Sequence, residues 1–308
     1  MTIDPSPAAG RAAVPRVRSD AASPLERVLA RLDATADEAA AGGGSVVADD
    51  TVPTGFASLD KLLGGGLRAG DLIVLGGDVG SGKSALALAV ALRAAQARDG
   101  AVVAFLSGEM TVDRVAERAL AIEGRARIDD LRQGRLADAA RADAGAAAHR
   151  LRDSALILDR LPGGGAEALA ESLRRTLDLQ LAVVDPLEAL AVGARGRGEE
   201  LAAAAVRLKE LALELNAAIL VTAQLPALSR DRPDLRPRLD DFGALGAVKH
   251  HADVVLGLYR EEMYDPGRGV EGATELLALK NRNGPTGYVD LYFYQQWMRF
   301  EDMLDPER

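Results

Sequence analysis

The chain has 308 residues, 48% of them hydrophobic and 27% charged, with a formal net charge of −9 and no cysteine. That length and apolar share can bury a full core and suit one large α/β domain with an appendage, while the charge argues against nucleic acid binding over the whole surface, though not against a local basic channel. The lack of cysteine excludes disulfides and thiolate-held zinc, and with no apolar leader in Met1 to Asp20 and no membrane-length apolar run the chain reads as cytoplasmic.

Residues 1–22, rich in Ala, Pro, Ser and Arg, read as a disordered tail. Ser23-Pro24-Leu25-Glu26 then supplies an N-cap Ser, a first-turn Pro and a Glu at the third position, the signature of a helix start. Leu25, Val28, Leu29 and Leu32 share one face of this amphipathic helix, expected over residues 23–41 and followed by a Gly-rich linker over 42–50. Its apolar stripe can fold back on its own domain or dock on a neighbouring subunit.

The main domain is expected over residues 51–308. Phe56, Leu59, Leu62 and Leu63 form a helical face ending at Gly64-Gly65-Gly66, and Gly70-Asp71 turns into the apolar strand Leu72 to Leu75. Next comes Gly77-Asp78-Val79-Gly80-Ser81-Gly82-Lys83-Ser84, which fits G-x-x-x-x-G-K-[ST] at every defined position and leads into the helical run from Ala85. Strand, loop and helix together mark a phosphate-binding loop rather than a chance Gly-rich turn. Its backbone N–H groups and helix N-terminus attract the anion, Lys83 can reach the β- and γ-phosphates of a nucleoside triphosphate, and the Ser84 hydroxyl can ligate Mg²⁺.

Beyond the loop, Ala101 to Leu106 reads as a strand, Thr111-Val112-Asp113 as a helix start, Asp129 to Arg150 as helical and Ala155 to Leu158 as a strand. Helix Glu167 to Leu177, strand Leu181 to Asp185, helix Glu199 to Leu215 and strand Ala218 to Thr222 follow. Strands apolar throughout and alternating with helices indicate a parallel sheet covered on both faces. The strands Val254 to Tyr259, Leu276 to Lys280 and Tyr288 to Tyr294 lack intervening helices, and the last two predict an antiparallel edge hairpin. His250 and His251 do not have metal-ligand spacing and read as surface or strand-edge residues.

Ligands of an open parallel sheet bind beyond the carboxyl ends of its strands, and that rule collects the candidates. Asp185 is placed to hold Mg²⁺ directly or through water, unless it merely caps a turn. Glu109 can polarise the attacking water, or be a surface carboxylate. Gln224 can sense the γ-phosphate through its amide, or be an exposed loop residue. Lys280 and Arg282 can reach a neighbour's γ-phosphate as a finger supplied in trans, or be solvated.

The order Thr54-Gly55-Phe56, the phosphate loop, Phe105-Leu106-Ser107-Gly108-Glu109-Met110, Val184-Asp185, Gln224, Gly246-Ala247-Val248, Ala252-Asp253-Val254-Val255 and Lys280-Asn281-Arg282-Asn283-Gly284-Pro285-Thr286-Gly287 resembles the C-terminal motor domain of DnaB-type replicative helicases. The resemblance covers roughly residues 50 to 301 and implies a RecA-like P-loop NTPase fold. It also implies that Lys83, Ser84 and Asp185 bind Mg-ATP, Glu109 activates water, Gln224 couples the γ-phosphate to the DNA loops, and Lys280 with Arg282 completes the adjacent subunit's site. A homo-oligomeric ring, usually a hexamer, translocating on single-stranded DNA follows, with helix 23–41 in the place of the family's linker helix, which packs on the next subunit. The family's N-terminal helical domain, which recruits primase, has no counterpart in the residues before that helix.

Two departures bear on function. Asp185-Pro186-Leu187-Glu188 stands where the family usually reads Asp-Tyr-Leu-Gln, and Gly243-Ala244-Leu245-Gly246 where its pore loop usually reads Arg-Glu-Ser-Gly. The missing Arg removes a charge-assisted phosphate contact. Arg195, Arg197, Arg230, Arg232, Arg236 and Arg238, with the Gly246 backbone, can replace it, or the arginines can be a solvated run interleaved with Asp231 and Asp234. The expected function is an ATP-dependent DNA helicase or translocase. The rival is a regulatory or assembly ATPase of the RecA superfamily that does not unwind.

Overall fold

The computed structural model describes residues 25, 26, 28, 29, 50–97, 100–194, 196–226 and 232–303. The chain divides into two units, residues 1–48 and 49–308, of which the second carries the site. The expected tail over 1–22 lies outside the described residues, as does nearly all of the helix over 23–41 and the linker over 42–50; residues 25, 26, 28 and 29 have helical backbone.

The second unit opens with a short ribbon, β1 (Thr51–Val52) antiparallel to β2 (Leu67–Arg68), with α1 (Ala57–Leu63) between them. The chain then alternates: β3 (Leu72–Gly77), α2 (Lys83–Ala97), β4 (Val102–Ser107), α3 (Val112–Gly124), α4 (Ile128–Arg132), α5 (Asp138–Asp153), β5 (Leu156–Arg160), α6 (Gly165–Leu173), β6 (Leu179–Asp185), α7 (Arg197–Leu215) and β7 (Ala218–Gln224). The short α8 (Ala247–His251) leads into β8 (Val254–Tyr259), β9 (Ala273–Asn281), β10 (Gly287–Tyr294) and β11 (Arg299–Asp302).

These strands form a nine-stranded sheet in the order β11-β10-β9-β8-β3-β7-β6-β4-β5. From β8 to β5 all neighbours are parallel, while β9, β10 and β11 add antiparallel strands at one edge. The expected α/β architecture, with a mainly parallel sheet and an antiparallel edge hairpin, is therefore the one adopted. Its cause is visible in β3 and β4, whose successive side chains point to opposite faces. Ile73, Leu75, Val103 and Phe105 join one core with α2 and α3, whereas Leu72, Val74, Ala104 and Leu106 join a second core with α6 and α7. Ten residues of α2 are buried, so its Ala/Leu run packs on most of its circumference, and the small Ala side chains let the helix lie close on the sheet.

Some bounds differ from expectation. The helical region over 129–150 is two helices, α4 and α5, because Gly134 takes φ +64 between them. The helix expected to run to Leu177 stops at Leu173, since Asp178 turns with φ +54 to enter β6. Strand β11 has no counterpart in the sequence pattern; it pairs with β10 and buries Phe300 completely.

The amino end of the parallel strands is held by one buried acid. Asp253, 4% exposed, accepts from Leu72 N at 2.9 Å, Lys209 Nζ at 2.7 Å and Arg282 Nη1 at 3.0 Å. Asp253→Ala would leave the Leu72 N–H and the Lys209 ammonium without their carboxylate. The expected cost is about 3–5 kcal/mol, read as a fall in Tm of roughly 10 °C; an unchanged Tm would show that the cluster adds no stability.

Candidate functional site

Position in the sheet explains why the candidate residues meet. Gly77, the last residue of β3, is in register with Gln224 of β7, and Ser107 at the end of β4 is in register with Asp185 at the end of β6. The residues after these strands therefore share one edge. Between them lies a cleft of about 290 Å³ lined by Lys83, Ser84, Glu109, Asp185 and Gln224 among others.

The loop over residues 78–82 turns on Gly80 at φ +79 and Gly82 at φ +101, a region that L side chains avoid. A Cβ on Gly82 would also lie 2.9 Å from the Phe300 ring. Helix α2 begins at Lys83, so its first N–H groups open on the loop. Lys83 Nζ donates to Asp78 O at 2.8 Å. Burial pushes the Lys83 ammonium below its ordinary range, opposed by the charges of Glu188, Asp185, Asp78 and Glu109. Among the described residues, Ser81 Oγ is buried without a partner, Val79 is exposed, and Asp78 accepts from Val79 N at 2.7 Å and from Tyr264 Oη at 3.2 Å. Burial together with Asp78 raises the Tyr264 hydroxyl to about 12.

Asp185 is 1% exposed, and its Oδ1 accepts from Ser84 Oγ at 2.9 Å and from Thr222 Oγ1 at 2.6 Å. Its Oδ2 is buried with no partner among the described residues. An orphaned carboxylate oxygen beside a phosphate-loop hydroxyl fits a divalent cation. Among the described residues no group of three His, Cys, Asp or Glu could hold a metal by itself.

Glu109 is exposed on the cleft and makes no hydrogen bond or ion pair among the described residues. Gln224 is exposed and lines the cleft, and its backbone N donates to Glu188 Oε1 at 2.9 Å. Among the further residues that reach the cleft unanticipated are Arg118, Glu188 and Arg260, the last donating from Nη1 to Gly80 O at 3.3 Å. Arg118 of α3 lines the cleft, and burial lowers the basicity of its guanidinium despite the nearby Asp185 and Glu109. Glu188, in a 3-10 turn after β6, lines it too, and burial pushes its carboxyl up. Arg118 lies nine positions beyond Glu109 on a helix of ordinary amphipathic pattern, so nothing local distinguishes it; Glu188 is visible only as a departure from a family pattern.

Lys280 and Arg282 are not brought to this cleft. Lys280 lies near the end of β9 and Arg282 just beyond, where Asn281 pairs with Val254, the first residue of β8. The phosphate loop is beside the other end of β8, where Gly77 is in register with Leu258. The length of that strand, about 20 Å, separates the two cations from the cleft of their own chain. Lys280 Nζ donates to Lys249 O and Ala252 O, and Arg282 Nη2 to His250 O at 2.8 Å, so both are tied to the carboxyl end of α8. Asn281 Nδ2 donates to Pro285 O and to Leu62 O, and Asn283 Nδ2 to Asp71 Oδ2, which fixes the hairpin on both sides of Arg282. The Arg282 side chain itself is 49% exposed.

The arginines considered for DNA divide into three groups. Arg195 and Arg230 lie outside the described residues. Arg232 is paired with Asp241 at 2.8 Å and Arg236 with Glu275 at 2.5 Å, so both are committed within the chain. Arg197 and Arg238 are exposed. Gly246, at φ +81, ends the loop that starts at Gly243, φ +58, and α8 follows directly. His250 and His251 are exposed residues of that helix.

This geometry has known counterparts. The model of the DnaB-like helicase C-terminal domain matches residues 51–302. The chain belongs to that family. The DnaB-like domain is 32% identical over 257 residues to the replicative DNA helicase DnaB of Leifsonia xyli subsp. xyli, and 30% identical over 258 residues to the replicative DNA helicase DnaC of Bacillus subtilis. Each match covers 82% of this chain and 56% of the relative, so the chain spans about half the length of these curated relatives. Among solved structures, an ATPase domain superposes with a TM-score of 0.79 at 22% identity, covering 92% of this chain and 100% of that one. A DnaB-like replicative helicase, whose structure addresses its interactions with primase, gives 0.77 at 24% identity and covers 89% of this chain and 66% of that one. At those identities the superpositions speak to the RecA-like fold of the DnaB-like domain. No described helix is long and apolar enough to cross a membrane.

Proposed function

We propose that this DnaB-like domain is the motor of an ATP-dependent DNA helicase or translocase, hydrolysing ATP at sites shared between subunits of a ring. The observation that carries the reading is the separation of two half-sites. Lys83, Ser84, Glu109, Asp185 and Gln224 gather at the carboxyl end of the sheet, whereas Lys280 and Arg282 stand at its amino end, out of reach of their own cleft. A second copy, presenting its hairpin to this cleft, completes a hydrolytic centre; a hexameric ring is the closed form we assign.

In that centre the loop N–H groups and Lys83 hold the phosphates, and the Asp185 carboxylate and Ser84 hydroxyl would hold Mg²⁺. Bound there, Mg²⁺ would neutralise phosphate charge. Glu109, free to take up a water, accepts a proton from it as it attacks. Arg118 and the neighbour's Arg282 and Lys280 stabilise the charge that grows on the transferred phosphoryl group. Gln224 passes the state of the γ-phosphate to the Gly243–Gly246 loop, which faces single-stranded DNA together with Arg197 and Arg238.

A regulatory or assembly ATPase is the second reading, favoured by the uncharged Gly243–Gly246 loop and by the internal pairing of Arg232 and Arg236. One experiment separates the two: ATP turnover of the purified full chain with and without single-stranded DNA at low salt, beside unwinding of a tailed duplex. DNA-stimulated turnover with unwinding is expected. Turnover indifferent to DNA, with no duplex opened, would reject the helicase reading and leave the regulatory one.

A further inference from the structure

Glu188 sits between two cavities. One is the nucleotide cleft, and the other is a cavity of about 320 Å³ lined by Arg197, Gln224, Phe242, Gly243 and Ala244, at the start of the Gly243–Gly246 loop. Glu188 and Gln224 line both. The Glu188 carboxylate accepts the Gln224 backbone N–H on Oε1 at 2.9 Å, while Oε2 is buried without a partner among the described residues. Lys83 on the nucleotide side and Arg197 on the loop side favour its charged form, but burial outweighs them and pushes the carboxyl up. The loop is also seated on the nucleotide strand: Phe242, 6% exposed, packs over Gly76, where a Cβ would come within 2.4 Å of its ring, and Leu225 N donates to Gly77 O at 3.1 Å.

We propose that Glu188 is the positioning residue through which a γ-phosphate in the cleft changes the Gly243–Gly246 loop. The inference rests on the nucleotide-site reading above. In the cleft without nucleotide, the Lys83 charge partly offsets that of Glu188. A γ-phosphate brings further negative charge to Lys83, so Glu188 loses that counter-charge and meets a like charge instead. The carboxylate is then better placed toward Arg197, and because its other oxygen holds the Gln224 N–H, β7's end and the loop seated beside it move with it. ADP, lacking the γ-phosphate, does not press on Glu188 in this way. A ligand shifts a loop only by its differential interaction with the two arrangements, and the like charge supplies that difference.

Glu188→Gln keeps the size and the acceptor for Gln224 N–H but removes the charge. The full chain and this variant are compared in two measurements with Mg-ATPγS and Mg-ADP: nucleotide affinity, and hydrogen–deuterium exchange of peptides covering residues 239–251. In the parent, ATPγS but not ADP is expected to alter exchange there. In Glu188→Gln the preference for ATPγS over ADP should rise about threefold or more, as expected when a like charge is removed from a partly screened site, while the exchange response falls to that seen with ADP. A purely structural role for Glu188 would not move the ATPγS-to-ADP ratio. Retention of the full exchange response by a variant that binds ATPγS overturns the proposal. So does a parent loop that responds identically to the two nucleotides, an outcome independent of how well the variant folds. Failure of the parent to bind DNA would sink the helicase reading alone, whereas failure to bind either nucleotide would sink both.

Discussion

Glu109→Gln is expected to bind Mg-ATP as well as the parent and to hydrolyse it about 10²–10⁴ times more slowly, the usual contribution of a positioned general base. The expectation rests on contrast with the other acids of the cleft. Asp185 is buried and already accepts two hydroxyls, and Glu188 is fixed by a backbone N–H. Of the three, Glu109 is the exposed one and has no partner among the described residues, hence it is able to hold a water and accept its proton. The amide replaces the carboxylate in shape but does not take a proton at neutral pH. Single-turnover hydrolysis beside a binding measurement separates the chemical step from affinity. Equal single-turnover rates in parent and variant would remove Glu109 as the base.

Arg282→Ala is expected to lower turnover by about 10³–10⁵, the range in which an arginine finger acts, with ATP affinity far less affected. In the single chain Arg282 is tied to Asp253 and to His250 O, yet its side chain is half exposed at the end of a hairpin anchored by Asn281 and Asn283. A rigid hairpin offers the guanidinium to a partner with little ordering cost. Since Asp253 also binds Lys209 and Leu72 N, it stays satisfied when Arg282 turns outward. Turnover within a few-fold of the parent would mean that Arg282 serves the Asp253 cluster and nothing beyond it. Measuring Tm of the same variant shows whether a loss of turnover comes from unfolding instead.

Much of the second unit was legible in the sequence because its strands are apolar on both faces. Leu72 to Leu75, Ala101 to Leu106 and Leu181 to Val184 announce buried parallel strands, and the glycines, Lys83 and Ser84 announce the loop between β3 and α2. Strand β11 was not readable, since its four residues, three of them charged, owe their strand geometry to pairing with β10 rather than to their own pattern. Arg118 was hidden for a similar reason: a long cation on an amphipathic helix is ordinary until α3 is laid across the cleft. The basic run from Arg230 to Arg238 read as one group, and only tertiary structure reveals that Asp241 and Glu275 claim Arg232 and Arg236. The hairpin string was conspicuous, but its position at the far end of the sheet depends on β8 lying beside β3, a long-range pairing that no local pattern encodes.

If each cleft is half of a hydrolytic site and a second copy supplies the rest, two different defects should complement one another. Mixing Lys83→Ala chains with Arg282→Ala chains tests this through ATP turnover of the mixture. Neither variant alone is expected to turn over appreciably. In mixed rings, an intact phosphate loop of an Arg282→Ala subunit meets the intact hairpin of a Lys83→Ala subunit, and partial activity should return in proportion to such junctions. A mixture that forms the same oligomers as the parent and stays as inactive as its components would contradict the shared site.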